Sequence, residues 1–304
     1  MMDVPISDLL GAFLALIGAL VVAIQSVLVR KKTVTGSVEK LIGMVILINF
    51  ILWTPLSLIL YFSSFNVTLI GFTAFILSGI FGFFLGYFFI FYSIKRIGAS
   101  KTHPLMKIQV VVALILSVVF LKETLTPYHL AGVIFLLFGT MLVSKEITGD
   151  NNSGGSITRS GYIDLSLPFI GGIFWGFNWY FTRLGLLEGV PILLGLSISS
   201  GGGLMLFVLF QVVYHKSFKS IKILLPNSKP FIIIGVICSF AFLLNFSALS
   251  IARVVVVNPI WHISPLFVLI LSYLFLPKLE QLSVKIILGS LLIVFGTVCV
   301  IIFM

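Results

Sequence analysis

VFLKETLT (residues 119–126), followed by AGVIFLLFGT (131–140), returns near the end of the chain as LPKLEQLS (276–283), followed by LGSLLIVFGT (288–297). Glu123 and Glu280, Gly132 and Gly289, and Gly139 and Gly296 each stand 157 residues apart. Further back, HPLMK (103–107) pairs with NPIWH (258–262) at an offset of 155, and AIQSVLVR (23–30) with GFNWYFTR (176–183) at 153. A drift of a few residues is what loops of unequal length produce. The chain therefore reads as two copies of one unit. Between them lies SKEITGDNNSGGSITRSG (144–161), a Gly-, Ser- and Asn-rich linker. The first repeat is residues 1–143 and the second 162–304.

The 304 residues are 60% hydrophobic and only 9% charged, with a mean hydropathy of +1.24. Soluble domains carry about 25% charged residues, so this composition belongs in a bilayer. Apolar runs fall near 9–29, 41–62, 68–94, 100–121, 126–143, 164–187, 191–214, 230–252, 254–276 and 282–303. A crossing takes roughly 20 apolar residues, so ten helices use the chain up and leave no separate soluble domain. The expected fold is all-α integral membrane, ten transmembrane helices in two five-helix repeats. Because five is odd, the second copy enters the membrane from the opposite side, which makes the repeat inverted in topology. Two inverted copies can exchange conformations around a central site, and transport by alternating access follows from that symmetry.

Several stretches resemble the drug/metabolite transporter superfamily, and within it the ten-helix proteins built of two EamA domains. In the first half these are FLGYFFIFYSIKRIGASKTHPL (84–105) and FLKETLTPYHLAGVIFLLFGTMLVS (120–144); in the second, IFWGFNWYFTRLG (173–185) and ALSIARVVVVNPIWHISPLFVLILSYLFL (248–276). One departure is LPKLE (276–280), which puts Pro277 and Lys278 where the family more often has Leu-Gly-Glu. The resemblance implies two EamA repeats and transport. It names no cargo, since the family spans amino acids, nucleosides, sugars and drugs.

A polar group at the centre of a membrane helix costs about 2.5–3.5 kcal/mol on insertion scales when charged, so each one is a functional candidate. In the first and sixth runs Gln25 and Asn178 are equivalent, and Trp175, Asn178 and Trp179 share a face at i, i+3, i+4. In the fourth and ninth runs His103 and Lys107 answer to Asn258, Trp261 and His262. Pro104 and Pro259 lie between them and loosen the helix by removing a backbone donor. With Tyr87 and Asn245, polar groups inside the third and eighth runs, these eleven residues are the expected substrate-binding set. Each also has a structural reading: Asn178 bonding a neighbouring helix, the tryptophans packing, His103 and Lys107 snorkelling to the surface. GFFLG (82–86) and GIFWG (172–176) read as close-packing motifs, and Gly201, Gly202 and Gly203 as a weak point or hinge in the seventh run.

None of the nine acids, Asp3, Asp8, Glu39, Glu123, Glu146, Asp150, Asp164, Glu188 and Glu280, falls in the central turns of a run. A carrier of lipophilic cations wants such a carboxylate. Its lack favours a neutral, zwitterionic or anionic small organic metabolite, amino acid-like for example, with His262 or His103 as the group for any proton coupling. No metalloprotease, nucleophile-elbow, P-loop or Cys/His metal pattern occurs, so neither an enzyme nor a primary pump is expected. No cofactor or metal is expected either, and Cys238 and Cys299 read as buried apolar groups. The expected partners are a small-molecule substrate and the lipid bilayer of the cell (plasma) membrane, with a homodimer left open and nucleic acid excluded. A passive channel, a membrane sensor or an exporter of drug-like compounds on the same scaffold are the alternatives.

Of the 19 Lys and Arg, sixteen sit at odd-numbered loops; only Lys122, Arg183 and Arg253 sit on the even side. The positive-inside rule then places both termini outside, whereas the family resemblance implies both inside. Following the charge bias, a topology reporter fused after Met304 is expected to read as external; a cytoplasmic signal would reverse the assignment.

Overall fold

The computed structural model describes residues 6–34, 36–61, 67–122, 159–215, 229–261, 263–277, 279 and 283–302, and within 127–142 residues 127, 130–132, 134, 135, 137–139, 141 and 142. Among the described residues there are ten helical elements. These are α1 (Ile6–Thr33), α2 (Val38–Tyr61), α3 (Leu69–Ile97), α4 (Ala99–Leu121), α5 (Leu130–Gly139), α6 (Arg159–Leu187), α7 (Ile192–His215), α8 (Lys229–Ile251), α9 in two pieces (Val254–Trp261 and Ser264–Phe275) and α10 (Val284–Ile302). Each coincides with one of the apolar runs. Helix α6 starts at Arg159, inside the stretch read as linker, because a helix once nucleated gains a backbone bond per added residue whatever the side chain. The rest of 144–161, like Glu123 and Glu280, lies outside the described residues.

Six elements, α1 to α4, α7 and α8, are long and apolar enough to cross a membrane. Helix α6 has the length, but Trp175, Asn178, Trp179 and Tyr180 dilute its apolar content. The molecule's surface is apolar where a soluble protein's would be charged. On α1, Ile6, Leu9, Phe13, Leu16, Leu20 and Ile24 form an exposed stripe at helical spacing, while Gln25, Ser26, Asn49, His103 and Lys107 are buried. Lipid accepts the stripe; the polar groups are left to find partners inside.

Packing crosses between the halves. Helix α1 lies against α8 and α9, and reciprocally α6 lies against α3 and α4; α2 packs on α7 and on α8, and α7 on α3. Phe135 of α5 meets Phe295 of α10 edge-on at 4.9 Å. Every one of these contacts maps onto another, or onto itself, when the two repeats are exchanged.

Helices α4 and α9 are broken at equivalent places. Pieces Ala99–Leu105 and Ile108–Leu121 meet at Met106 and Lys107, where Lys107 N donates to Pro104 O at 3.2 Å and Val110 N to Lys107 O at 3.0 Å. In α9 the matching bonds run from Ile263 N to Ile260 O at 3.1 Å and from Leu266 N to Ile263 O at 3.0 Å, each 156 residues on. These tight three-residue turns replace the four-residue ladder near Pro104, Pro259 and Pro265. The repeat symmetry fails in α3, which is π-helical from Gly79 to Gly86, whereas α8 is regular throughout.

The three consecutive glycines do not break α7, which runs unbroken from Ile192 to His215. Their use is close approach. A Cβ on Gly202 would sit 2.8 Å from the Ile76 carbonyl oxygen and one on Gly203 2.7 Å from Phe83 Cβ, whereas one on Gly201 would meet only the edge of Phe50 at 3.5 Å. Expected outcomes differ accordingly for neighbouring residues in detergent melting curves. Gly202→Ala is destabilised by about 1–3 kcal/mol through overpacking, and Gly201→Ala is unchanged or raised by up to about 1 kcal/mol through helix propensity.

Candidate functional site

A cavity of about 50 Å³ lies where α1, α3, α4, α6, α8 and α9 converge. Its lining is organised by the repeat. Tyr87 and Phe242, Ile90 and Asn245, and Met106 and Trp261 are pairs at the offset of 155; Val22 and Trp175, and Ser26 and Trp179, are pairs at 153. Five pairs with a member in each copy put the cavity between the two repeats.

The pairs are chemically unequal. The first copy supplies Gln25, Ser26, His103 and Lys107, and the second supplies Trp175, Trp179, Phe242 and Trp261. Trp175 stacks on Phe242 with centroids 5.8 Å apart, Tyr87 stands edge-on to both at 5.4 and 5.8 Å, and Trp179 meets Trp261 edge-on at 5.9 Å. The second copy thus supplies most of the aromatic surface and the first most of the polar groups.

The polar groups are held by few bonds. Ser26 Oγ lies 2.8 Å from the Val22 carbonyl oxygen and 2.6 Å from His103 Nε2; when its one proton goes to the carbonyl, the imidazole proton sits on Nε2 and Nδ1 is an acceptor. Lys107 Nζ donates to Ser264 Oγ across the cavity at 3.2 Å, joining the two helix breaks. Gln25 Nε2 reaches Tyr87 Oη at 3.4 Å. His103 Nδ1, Gln25 Oε1, Asn245 Oδ1 and Trp175 Nε1 are buried without a hydrogen-bond partner. Unpaired buried polar atoms cost about 1–3 kcal/mol each, so three acceptors and an indole donor around one cavity constitute binding capacity.

Charge is distributed to match. Among the described residues no carboxylate lines the cavity. Asp164 pairs with Arg96 at 2.5 Å, Asp8 with Arg253 at 3.0 Å, Glu39 accepts from Tyr92 and Glu188 from Thr68, all near helix ends. Lys107, 2% exposed, is the lysine amine at the cavity.

Of the residues expected from sequence, Gln25, Tyr87, His103, Lys107, Trp175, Trp179, Asn245 and Trp261 line this one cavity. Asn178 does not. Its Nδ2 donates to Ser78 O and Oγ, both at 2.9 Å, and its side chain fills the space left by Gly82, so the structural reading applies. Positions i+3 and i+4 lie on opposite flanks of residue i, which is how Trp175 and Trp179 face the cavity while Asn178 faces α3. His103 and Lys107 do not snorkel, since each is 2% exposed. That removes Lys107 from the sixteen basic residues that report topology. His262, and the side chain of Asn258, lie outside the described residues. Sequence reading missed Ser26, Gln109, Phe242 and Ser264. Repeat arithmetic could have found two of them: Ser26 is the partner of Trp179, and Phe242 of Tyr87.

Ser26→Ala is expected to leave His103 Nε2 buried without its hydroxyl partner, lowering thermal stability by about 1–3 kcal/mol. Ser239→Ala, whose hydroxyl bonds only its own helix at Gly235 O, serves as the comparison and is expected to change little.

No curated protein matches the chain. A solved crystal structure superposes with a TM-score of 0.67 at 15% identity, over 98% of this chain and 96% of the other, which establishes a shared fold. The pattern of the EamA-like transporter family matches residues 9–145 and 163–302, one copy in each half and nearly the whole length. The chain, a multi-pass membrane protein and a transporter rather than an enzyme, belongs to the EamA-like transporter family.

Proposed function

We propose that this protein is a secondary-active carrier of a small organic metabolite, neutral, zwitterionic or anionic, working by alternating access across the plasma membrane. Ten crossings in two inverted five-helix repeats are part of that reading. The observation that carries it is the cavity of five repeat-related pairs, with Lys107 at its wall and no carboxylate among its described lining residues. A site on the axis of an inverted repeat is equally far from both surfaces, the geometry alternating access requires. An apolar or aromatic body suits the Trp175, Trp179, Trp261 and Phe242 wall, and an anionic or acceptor group suits Lys107 and Ser264. Hydroxyl or ammonium donors suit Gln25 Oε1 and Asn245 Oδ1. The unpaired buried atoms make specificity strong, because an analogue lacking the matching group leaves them unsatisfied.

A passive channel or sensor on this scaffold predicts no exchange, so counterflow separates the readings. Internal unlabelled substrate is expected to accelerate uptake of labelled substrate in proteoliposomes; its failure to do so for any binder removes the carrier. The binder is found by melting the purified protein against amino acids, nucleosides, sugars, organic anions and lipophilic cations. At a hundred times Kd a ligand stabilises by about 2.7 kcal/mol. Zwitterions or anions are expected to raise the midpoint, and Lys107→Met and Asn245→Leu to remove the effect. Stabilisation confined to cations would overturn the charge argument and favour the drug-exporter reading.

A further inference from the structure

Two arginines occupy the same position in the two repeats and do the same thing. Arg30, near the C-terminal end of α1, donates to Ile94 O at 2.8 Å and Lys95 O at 2.6 Å in the last turn of α3. It also reaches Leu279 O at 3.3 Å. Arg183, 153 residues on and near the end of α6, donates to Leu249 O at 2.5 Å in the last turn of α8. Ile94 and Leu249 are themselves 155 residues apart, so the acceptors are as equivalent as the donors. A helix C-terminus is the negative end of the dipole, which suits a guanidinium, although Ile94 O also accepts from Gly98 N at 3.1 Å.

These contacts lie at opposite ends of the cavity. Near the N-terminal end of α1, a Cβ on Gly11 would meet Ala252 and the Ala248 carbonyl, and Asp8 pairs with Arg253. The end of α8 that Arg183 grips is therefore beside residues 8–11 of α1. Arg30 lies nineteen residues further along the same helix, about 28 Å at 1.5 Å per residue. The cavity residues Val22, Gln25 and Ser26, and Gly18 against Trp261, fall between the two.

Each arginine also bridges two packing groups. Helix α1 is seated among α8 and α9, and α6 among α3 and α4. Arg30 ties the first group to α3, and Arg183 ties the second to α8. If these groups move against each other, one contact can be released while the other holds.

We propose that Arg30 and Arg183 are a matched pair of latches closing the two opposite mouths of the cavity, so that release of one admits substrate from that end alone. The inference rests on the alternating-access reading and adds to it the groups that hold each end shut.

The test uses the full chain in vesicles, with Cys238→Ala, Cys299→Ala and a reporter Val22→Cys in the cavity. A membrane-impermeant maleimide is applied from each face in turn. A separate variant with Lys31→Cys, an exposed position beside Arg30, identifies which face is which. Arg30→Gln is expected to raise labelling of the reporter from the Arg30 face over the other by about tenfold, equivalent to about 1.4 kcal/mol. Arg183→Gln is expected to bias it about as far the opposite way, and the double variant to return the ratio toward the parent's. Shifts in the same direction, or equal change from both faces, would overturn the latches, since loss of general stability opens no preferred end. If a glutamine variant does not fold, Arg30→Lys and Arg183→Lys keep the charge, lose the fork and are judged by the same opposite signs. Counterflow by the parent chain in the same vesicles separates the claims. Exchange with unbiased labelling removes the latches alone; absence of exchange removes the carrier reading, and the labelling still decides the latches.

Discussion

Close seating of α1 and α6 in the opposite halves is the constraint on which the rest depends, and it is made possible where side chains are missing. On α1, a Cβ at Gly18 would occupy the ring of Trp261; on α6, one at Gly172 would come within 2.6 Å of the Met106 carbonyl oxygen at the break in α4. Among apolar helices in lipid there is little hydrophobic gain from association, so van der Waals contact at short range does the work. Because each of these helices is held at a break, seating them also fixes where the cavity is. Its wall contains the broken turns at Met106 and Lys107 on one side and at Trp261 and Ser264 on the other.

Once that framework is set, the polar groups have few places to go. Lipid takes the apolar stripes and refuses amides, imidazole and ammonium. Some are absorbed by neighbours, as Asn178 is by Ser78 and Thr182 by the same serine at 2.7 Å. The others face the cavity, and the inequality of the two copies makes it amphiphilic: Ser26 stands where the second copy has Trp179, and Met106 where it has Trp261. A symmetric framework thus carries an asymmetric site. In the proposed cycle the halves would exchange roles around that site.

Symmetry was open to view in the chain itself. Offsets of 153 to 157 residues marked the repeat, and the apolar runs marked every helical element to within about five residues. Eight expected residues converge on one cavity because polarity inside an apolar run is expensive and therefore seldom idle. Placement of Asn178 failed for a local reason: which flank of α6 faces α3 depends on Gly82, a contact 96 residues distant that no helical wheel contains. Snorkelling by His103 and Lys107 was a fair reading of positions near a helix start. It fails because the break at Met106 and Lys107 turns both inward, and only the partners Ser26 and Ser264 show it.

Composition, periodicity and repeat spacing by themselves determined a membrane protein of two similar halves with basic and aromatic groups in its interior, since these follow from transfer free energies and helix geometry that act residue by residue. Only the tertiary structure decided which of those groups share a cavity, that α7 passes its three glycines unbroken, and that Arg30 and Arg183 grip equivalent helix ends. Each depends on contacts between segments far apart in sequence, and such contacts are set by how whole helices fit together rather than by any run of neighbours.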